Sequence, residues 1–128
     1  MVRTQKKTSP PGRGLALALV PLLAILGCKL GLLLEHGIPI LIYVGEEDWI
    51  CNHLGNRKMI EEIEWSRKCE FQKEKLYKWR VDGEVAGDAQ HGGGLSWATI
   101  AGAGHMVPYE KGAQAQAMFH RWIDGEPL

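Results

Sequence analysis

Two residues 57 positions apart could carry acid–base chemistry together. Asp48 ends the acidic run Glu46-Glu47-Asp48, and His105 sits among glycines in GAGHMVPYE. A carboxylate that accepts a hydrogen bond from an imidazole N–H fixes the tautomer of the ring and stabilises its charged form. The second ring nitrogen can then take a proton from a hydroxyl nucleophile. Around Asp48 the stretch GEEDWICNHLGN also sets Trp49, Cys51 and Asn52 within four residues. A plain polar turn needs no such diversity of side chains. On spacing alone, a histidine beside glycines is more often structural than catalytic, so the elements around the pair have to decide.

Both stretches follow apolar runs. Residues 38–44 (IPILIYV) show no polar alternation, which fits a strand buried on both faces, as in a parallel sheet. LSWATIA (95–101) reads as a second strand, followed by a tight loop over 102–109. Gly102 and Gly104 let that loop turn sharply enough to bring the His105 ring to a site. A helix is expected over 56–65, with Met59, Ile60 and Ile63 on one side and Asn52 as a cap or turn residue before it. Residues 66–80 are charged with spaced aromatics and read as a surface helix or excursion. WRVDGEVAGDA reads as a β-hairpin, since Asp82-Gly83 is a favoured two-residue turn. A closing helix over 110–123 lines up Ala115, Met118, Phe119 and Trp122 as one apolar stripe. Buried strands that each lead through a polar loop into a helix indicate an α/β sheet, and ligands of such sheets sit outside the carboxyl ends of the strands. Asp48 and His105 both fall there. An aspartate followed by a histidine, on loops after late strands, is also the order found in α/β-hydrolases, where a serine precedes both.

Composition narrows the partners. Fifteen basic residues balance fifteen acidic ones, so no global field favours nucleic acid. The basic residues between Arg67 and Arg80 are interleaved with Glu70 and Glu74, as on a solvated face. Cys28, Cys51 and Cys69 are an odd count without repeated spacing, which gives neither a disulfide framework nor a zinc pattern. No ligand spacing recurs among His91, His105, His120 and Cys51, so no metal or other cofactor is expected. No Asn-x-Ser/Thr sequon occurs.

Three regions are expected along the chain. Residues 1–13 form a basic, proline-bearing tail without the means to bury a core. Residues 14–34 are almost wholly apolar and fit a signal-peptide core, a short membrane anchor or a buried apolar helix, with Pro21 and Lys29 weakening a spanning helix. Residues 35–128 carry the α/β pattern.

The two site stretches resemble a known family. GEEDWICNHLGN is similar to the Asp-x-x-Cys-Asn-x-x-Gly-Asn segment that bears the catalytic aspartate of serine carboxypeptidases, and GAGHMVPYE to their catalytic-histidine loop. VDGEVAG resembles the family's hairpin and FHRWIDG its final helix, so that the likeness runs in order from about Leu33 to Gly125. It implies the C-terminal part of an α/β-hydrolase fold, with the last parallel strands, helices and a small hairpin; the apolar N-terminal helix expected before them is unrelated to the family. It implies release of C-terminal amino acids from peptides and proteins, in vacuoles, lysosomes or secretions. Asp48 takes the aspartate's role and His105 the general base's. Cys51 lies beside the histidine and lines the substrate pocket, and Met106 walls the pocket for the departing residue. Where the family often carries Trp, this chain has His53.

The third triad member does not appear. The family's serine sits in a Gly-x-Ser-x-Gly elbow, and none occurs here. The nearest stretch, GLSWA, lacks the final glycine and lies inside the strand leading to His105. The oxyanion-hole glycines and most of the sheet also have no counterpart. The chain is therefore expected to be inactive alone. A non-catalytic truncated paralogue, tethered through 14–34 or self-associating through an unpaired sheet edge, is the rival expectation.

Overall fold

The computed structural model describes residues 27–128. The expected basic tail and most of the apolar segment lie outside the described residues. What is described of that segment, 27–35, is helical (α1). No helix among the described residues is long and apolar enough to cross a membrane.

Four strands, β1 (Ile40–Gly45), β2 (Tyr77–Val81), β3 (Glu84–Gly92) and β4 (Leu95–Ile100), form one mixed sheet in the order β1-β4-β3-β2. The expected neighbouring parallel strands are present: β1 pairs with β4 from Ile40↔Leu95 to Gly45↔Ile100. That register ends both strands at the same level. The chain leaves β1 towards Asp48 and leaves β4 towards His105 from one rim of the sheet.

The remaining helices are α2 (His53–Glu62), α3 (Lys68–Lys73), α4 (Val107–Glu110) and α5 (Gly112–Asp124). They divide between the two faces of the sheet. One face carries Trp79, Ala86, Ala89, Ala98, Ile100 and Ala103 under Val107 of α4 and Met118 of α5. The other carries Leu95 and Trp97 under Leu34, Ile60, Ile63, Trp65 and Phe71. Alternation along β4 explains the division: Leu95 and Trp97 point one way, Ala98 and Ile100 differ in parity and face.

The expectation that β1 is buried on both faces is corrected. Only Val44 and Gly45 of β1 are buried, and Tyr43 is exposed. Among the described residues β1 is an edge strand of the sheet, as β2 is, and is covered less than β4, which has a neighbour on each side. The surface helix expected within residues 66–80 is present as α3, but the segment also differs from the sequence reading. Phe71 and Trp79 are buried, and the hairpin starts at Tyr77. Tyr77, Trp79 and Val81 alternate inward while Lys78 and Arg80 stay in water, a period of two inside a charged stretch. The turn is as expected: Asp82 (φ 50°) and Gly83 (φ 85°) both take positive φ between the paired Val81 and Glu84. The closing helix is interrupted at Lys111, and its stripe is only partly covered, with Met118 buried and Phe119 exposed.

Candidate active site

Gly45 brings the two rims together. A Cβ at this position would lie 2.2 Å from the carbonyl oxygens of both Ala103 and Gly104. The end of β1 thus meets the backbone of the histidine loop with no room for a side chain. Two backbone bonds cross the contact, and a third closes the turn after β1. Glu46 N–H donates to Ile100 O (3.0 Å), Glu47 N–H to Ala103 O (2.9 Å) and Asp48 N–H back to Gly45 O (3.2 Å). Thr99, buried on β4, donates its hydroxyl to Glu46 Oε1 at 2.7 Å and accepts from Asp88 N–H at 2.9 Å.

Asp48 is buried, and both carboxylate oxygens are occupied. Oδ1 accepts from Ile50 N–H and Cys51 N–H, each at 2.9 Å, and Oδ2 lies 2.8 Å from His105 Nδ1. The Cys51 N–H, then the His105 and Ile50 hydrogen bonds, hold this carboxyl below the usual carboxylate range, against the opposing effect of desolvation. An ionised carboxylate can only accept, so Nδ1 carries a proton, and in the neutral form of the ring Nε2 presents a lone pair.

His105 is held from behind by a residue that the sequence reading does not single out. Glu110 accepts Gly104 N–H at 2.8 Å and Met106 N–H at 3.3 Å, bracketing the histidine on both sides. The signal was available: an acidic residue in the first turn of a helix that begins Val107-Pro108 is a common helix-start pattern. The ring itself stays 58% exposed.

Of the predicted site residues, Asp48, Cys51 and His105 come together. One donor atom from each lies within 4.8 Å of the other two. Met106 follows His105 and is 59% exposed. Asn52 is the expected cap, its side chain accepting Gly55 N–H at 2.8 Å. His53 opens α2, and its Nδ1 is buried without a hydrogen-bond partner among the described residues. Cys28, Cys51 and Cys69 are all free thiols. The segments around the pair expose large apolar side chains: Trp49, Ile50, Leu54 and Tyr109.

The family model described as serine carboxypeptidase matches residues 29–125. Carboxypeptidase Y of Candida albicans is 39% identical over 94 residues, which are 73% of this chain and 17% of that protein. The vacuolar serine-type carboxypeptidase ATG42 of Saccharomyces cerevisiae is 41% identical over 95 residues, 73% of this chain and 19% of that one. Among solved structures, Kex1(Δ)p, a prohormone-processing carboxypeptidase from Saccharomyces cerevisiae, superposes with a TM-score of 0.67 at 26% identity. The match covers 75% of this chain and 22% of Kex1(Δ)p. The chain thus spans about a fifth of the length of the relatives it matches, and over that span it belongs to the serine carboxypeptidase family.

Proposed function

We propose that residues 35–128 are the C-terminal part of a serine carboxypeptidase α/β-hydrolase domain, with Asp48 and His105 as two of its three catalytic residues. The observation that carries this reading is the 2.8 Å contact between His105 Nδ1 and Asp48 Oδ2 at the rim where β1 and β4 end. In the reaction, Nε2 of His105 takes the proton of a serine hydroxyl as it attacks the last peptide bond. The imidazolium, stabilised by Asp48, then returns the proton to the departing amino group. Water repeats the cycle on the acyl-enzyme. Cys51 and Met106 wall the space that takes the peptide's C-terminal residue. The 128 residues contain no nucleophile elbow, so the serine has to come from another part of the enzyme. The substrates are peptide and protein C-termini, and the place of action is the secretory pathway, in keeping with a relative that is itself named vacuolar.

The rival reading is a non-catalytic, partner-binding chain. The exposed Trp49, Ile50 and Tyr109 and the singly paired β1 favour association through this rim.

A chimera separates the two. Residues 29–125 replace the matching segment of an active serine carboxypeptidase, and release of C-terminal amino acids is measured. The catalytic reading expects turnover that falls by about 10⁴-fold with Asp48→Asn, and none from the 128-residue chain alone. A folded, active chimera indifferent to both Asp48→Asn and His105→Gln would refute it. So would serine-inhibitor-sensitive turnover by the 128-residue chain.

A further inference from the structure

The three side chains at the rim have a second chemistry available. Asp48 offers a carboxylate oxygen, Cys51 a thiol sulfur and His105 a ring nitrogen, all within 4.8 Å of one another. Among the described residues this is the one such group of three. Tetrahedral zinc with bonds of about 2.0–2.3 Å spaces its ligands roughly 3.3–3.7 Å apart. Asp48 Oδ2 and His105 Nδ1, 2.8 Å apart, therefore have to open by about half an ångström, and any separation near 4.8 Å has to close by about an ångström. The freedom for that movement lies where it is needed, since Cys51 and the His105 ring are both exposed. Asp48 is the fixed point, buried and oriented by the N–H groups of Ile50 and Cys51. Sulfur, imidazole nitrogen and carboxylate oxygen together suit a zinc-class ion. Calcium and magnesium take oxygen ligands instead. Spacing along the chain conceals the trio, because positions 48 and 51 meet 105 only through the pairing of β1 with β4.

We propose that Asp48, Cys51 and His105 bind one zinc-class divalent cation, with Cys51 as a thiolate and the fourth position left to water or a small anion. Binding releases the thiol proton to solvent and needs the imidazole proton on Nε2, so that Nδ1 turns its lone pair to the ion; because a proton is released, affinity rises with pH. An ion there engages the imidazole and the carboxylate that the proposed peptidase reaction needs free. Zinc would then act as an inhibitor of that reaction. The binding itself goes beyond the peptidase reading and needs only these three side chains.

The test uses the full chain carrying Cys28→Ser and Cys69→Ser, so that Cys51 is the single thiol, under reducing conditions. Cobalt is titrated in and then displaced with zinc, and folding is checked by circular dichroism. The expected result is one equivalent of cobalt with a thiolate-to-cobalt charge-transfer band in the near ultraviolet, lost on addition of zinc. Cys51→Ser should abolish the band. His105→Gln and Asp48→Asn should each weaken zinc binding by about tenfold or more. No charge-transfer band at stoichiometric cobalt overturns the proposal, as does zinc affinity unchanged by His105→Gln in a folded variant. Should Asp48→Asn unfold the chain, the Cys51 and His105 variants still decide the matter. Because the readout is spectroscopic and involves no turnover, its failure leaves the peptidase reading intact, and failure of the chimera leaves the metal site intact.

Discussion

Adding one methyl group at Gly45 should take the site apart. The glycine is required by packing and not by an unusual φ, since Gly45 is absent from the positive-φ residues. A Cβ would sit 2.2 Å from the carbonyl oxygens of Ala103 and Gly104 and 2.6 Å from the Ala103 carbonyl carbon. Ordinary contact begins near 3.4 Å, so β1 and the histidine loop must separate by about 1.2 Å. Both obstacles are backbone, and no flexible side-chain end can move aside. Such a shift breaks the Glu47 N–H to Ala103 O bond and stretches the 2.8 Å Asp48–His105 contact beyond about 3.5 Å, where it ceases to be a hydrogen bond. Overpacking of this kind costs about 1–3 kcal/mol, and a lost backbone bond adds about 1 kcal/mol. For a domain of this size the total of about 2–4 kcal/mol lowers Tm by about 10–30 °C. Thermal unfolding of Gly45→Ala measures the loss, and proton NMR follows the His105 Nδ1–H, which a bond to carboxylate makes strongly deshielded. Gly112→Ala is the control. A Cβ there meets nothing within 4 Å, so stability should hold or rise by up to about 1 kcal/mol. A Gly45→Ala protein within about 2 °C of wild type, its imidazole proton resonance retained, would refute the reasoning.

Three further outcomes are expected. Trp79→Phe removes the indole N–H that donates to Thr99 O at 2.9 Å inside the core, and should cost about 1–3 kcal/mol in urea denaturation with an unchanged m value. Asn52→Ala removes the cap of α2 and should cost about 0.5–2 kcal/mol, with Asn52→Asp restoring most of it. The third concerns pH. Folding lowers the pKa of Asp48, so its stabilisation is complete above the ordinary carboxylate range and is lost as pH falls through the depressed folded value. The Tm gap between wild type and Asp48→Asn, measured with a chelator present, should be fully present above the carboxylate range and shrink below about pH 4. A gap of the same size at neutral and at strongly acid pH would contradict the hydrogen-bonding observed.

Much of the local structure was legible in the residues themselves. The hairpin followed from Asp82-Gly83, where both turn positions need positive φ. The cap followed from Asn52, and the parallel pair from two apolar runs that each end in a polar loop. The candidate residues Asp48, Cys51 and His105 stood out as short motifs, and the structure brings the three together. Two expectations failed for reasons outside any local window. The apolar run of β1 looks doubly buried because side-chain type records what a strand can tolerate, whereas burial depends on neighbours, and β1 has one. Residues 66–80 read as a surface segment because charges surround the aromatics in sequence, yet Phe71 packs inward from α3 and Trp79 by alternation along β2.

By itself, the sequence determined which groups are present and which local conformations each segment prefers, since turn propensity, capping and apolar period act over a few residues. Only the tertiary structure decided that Gly45 must be bare and how near the thiol, the carboxylate and the imidazole lie to one another. Those facts depend on distances between segments more than fifty residues apart, which a chain acquires only when β1 and β4 lie side by side.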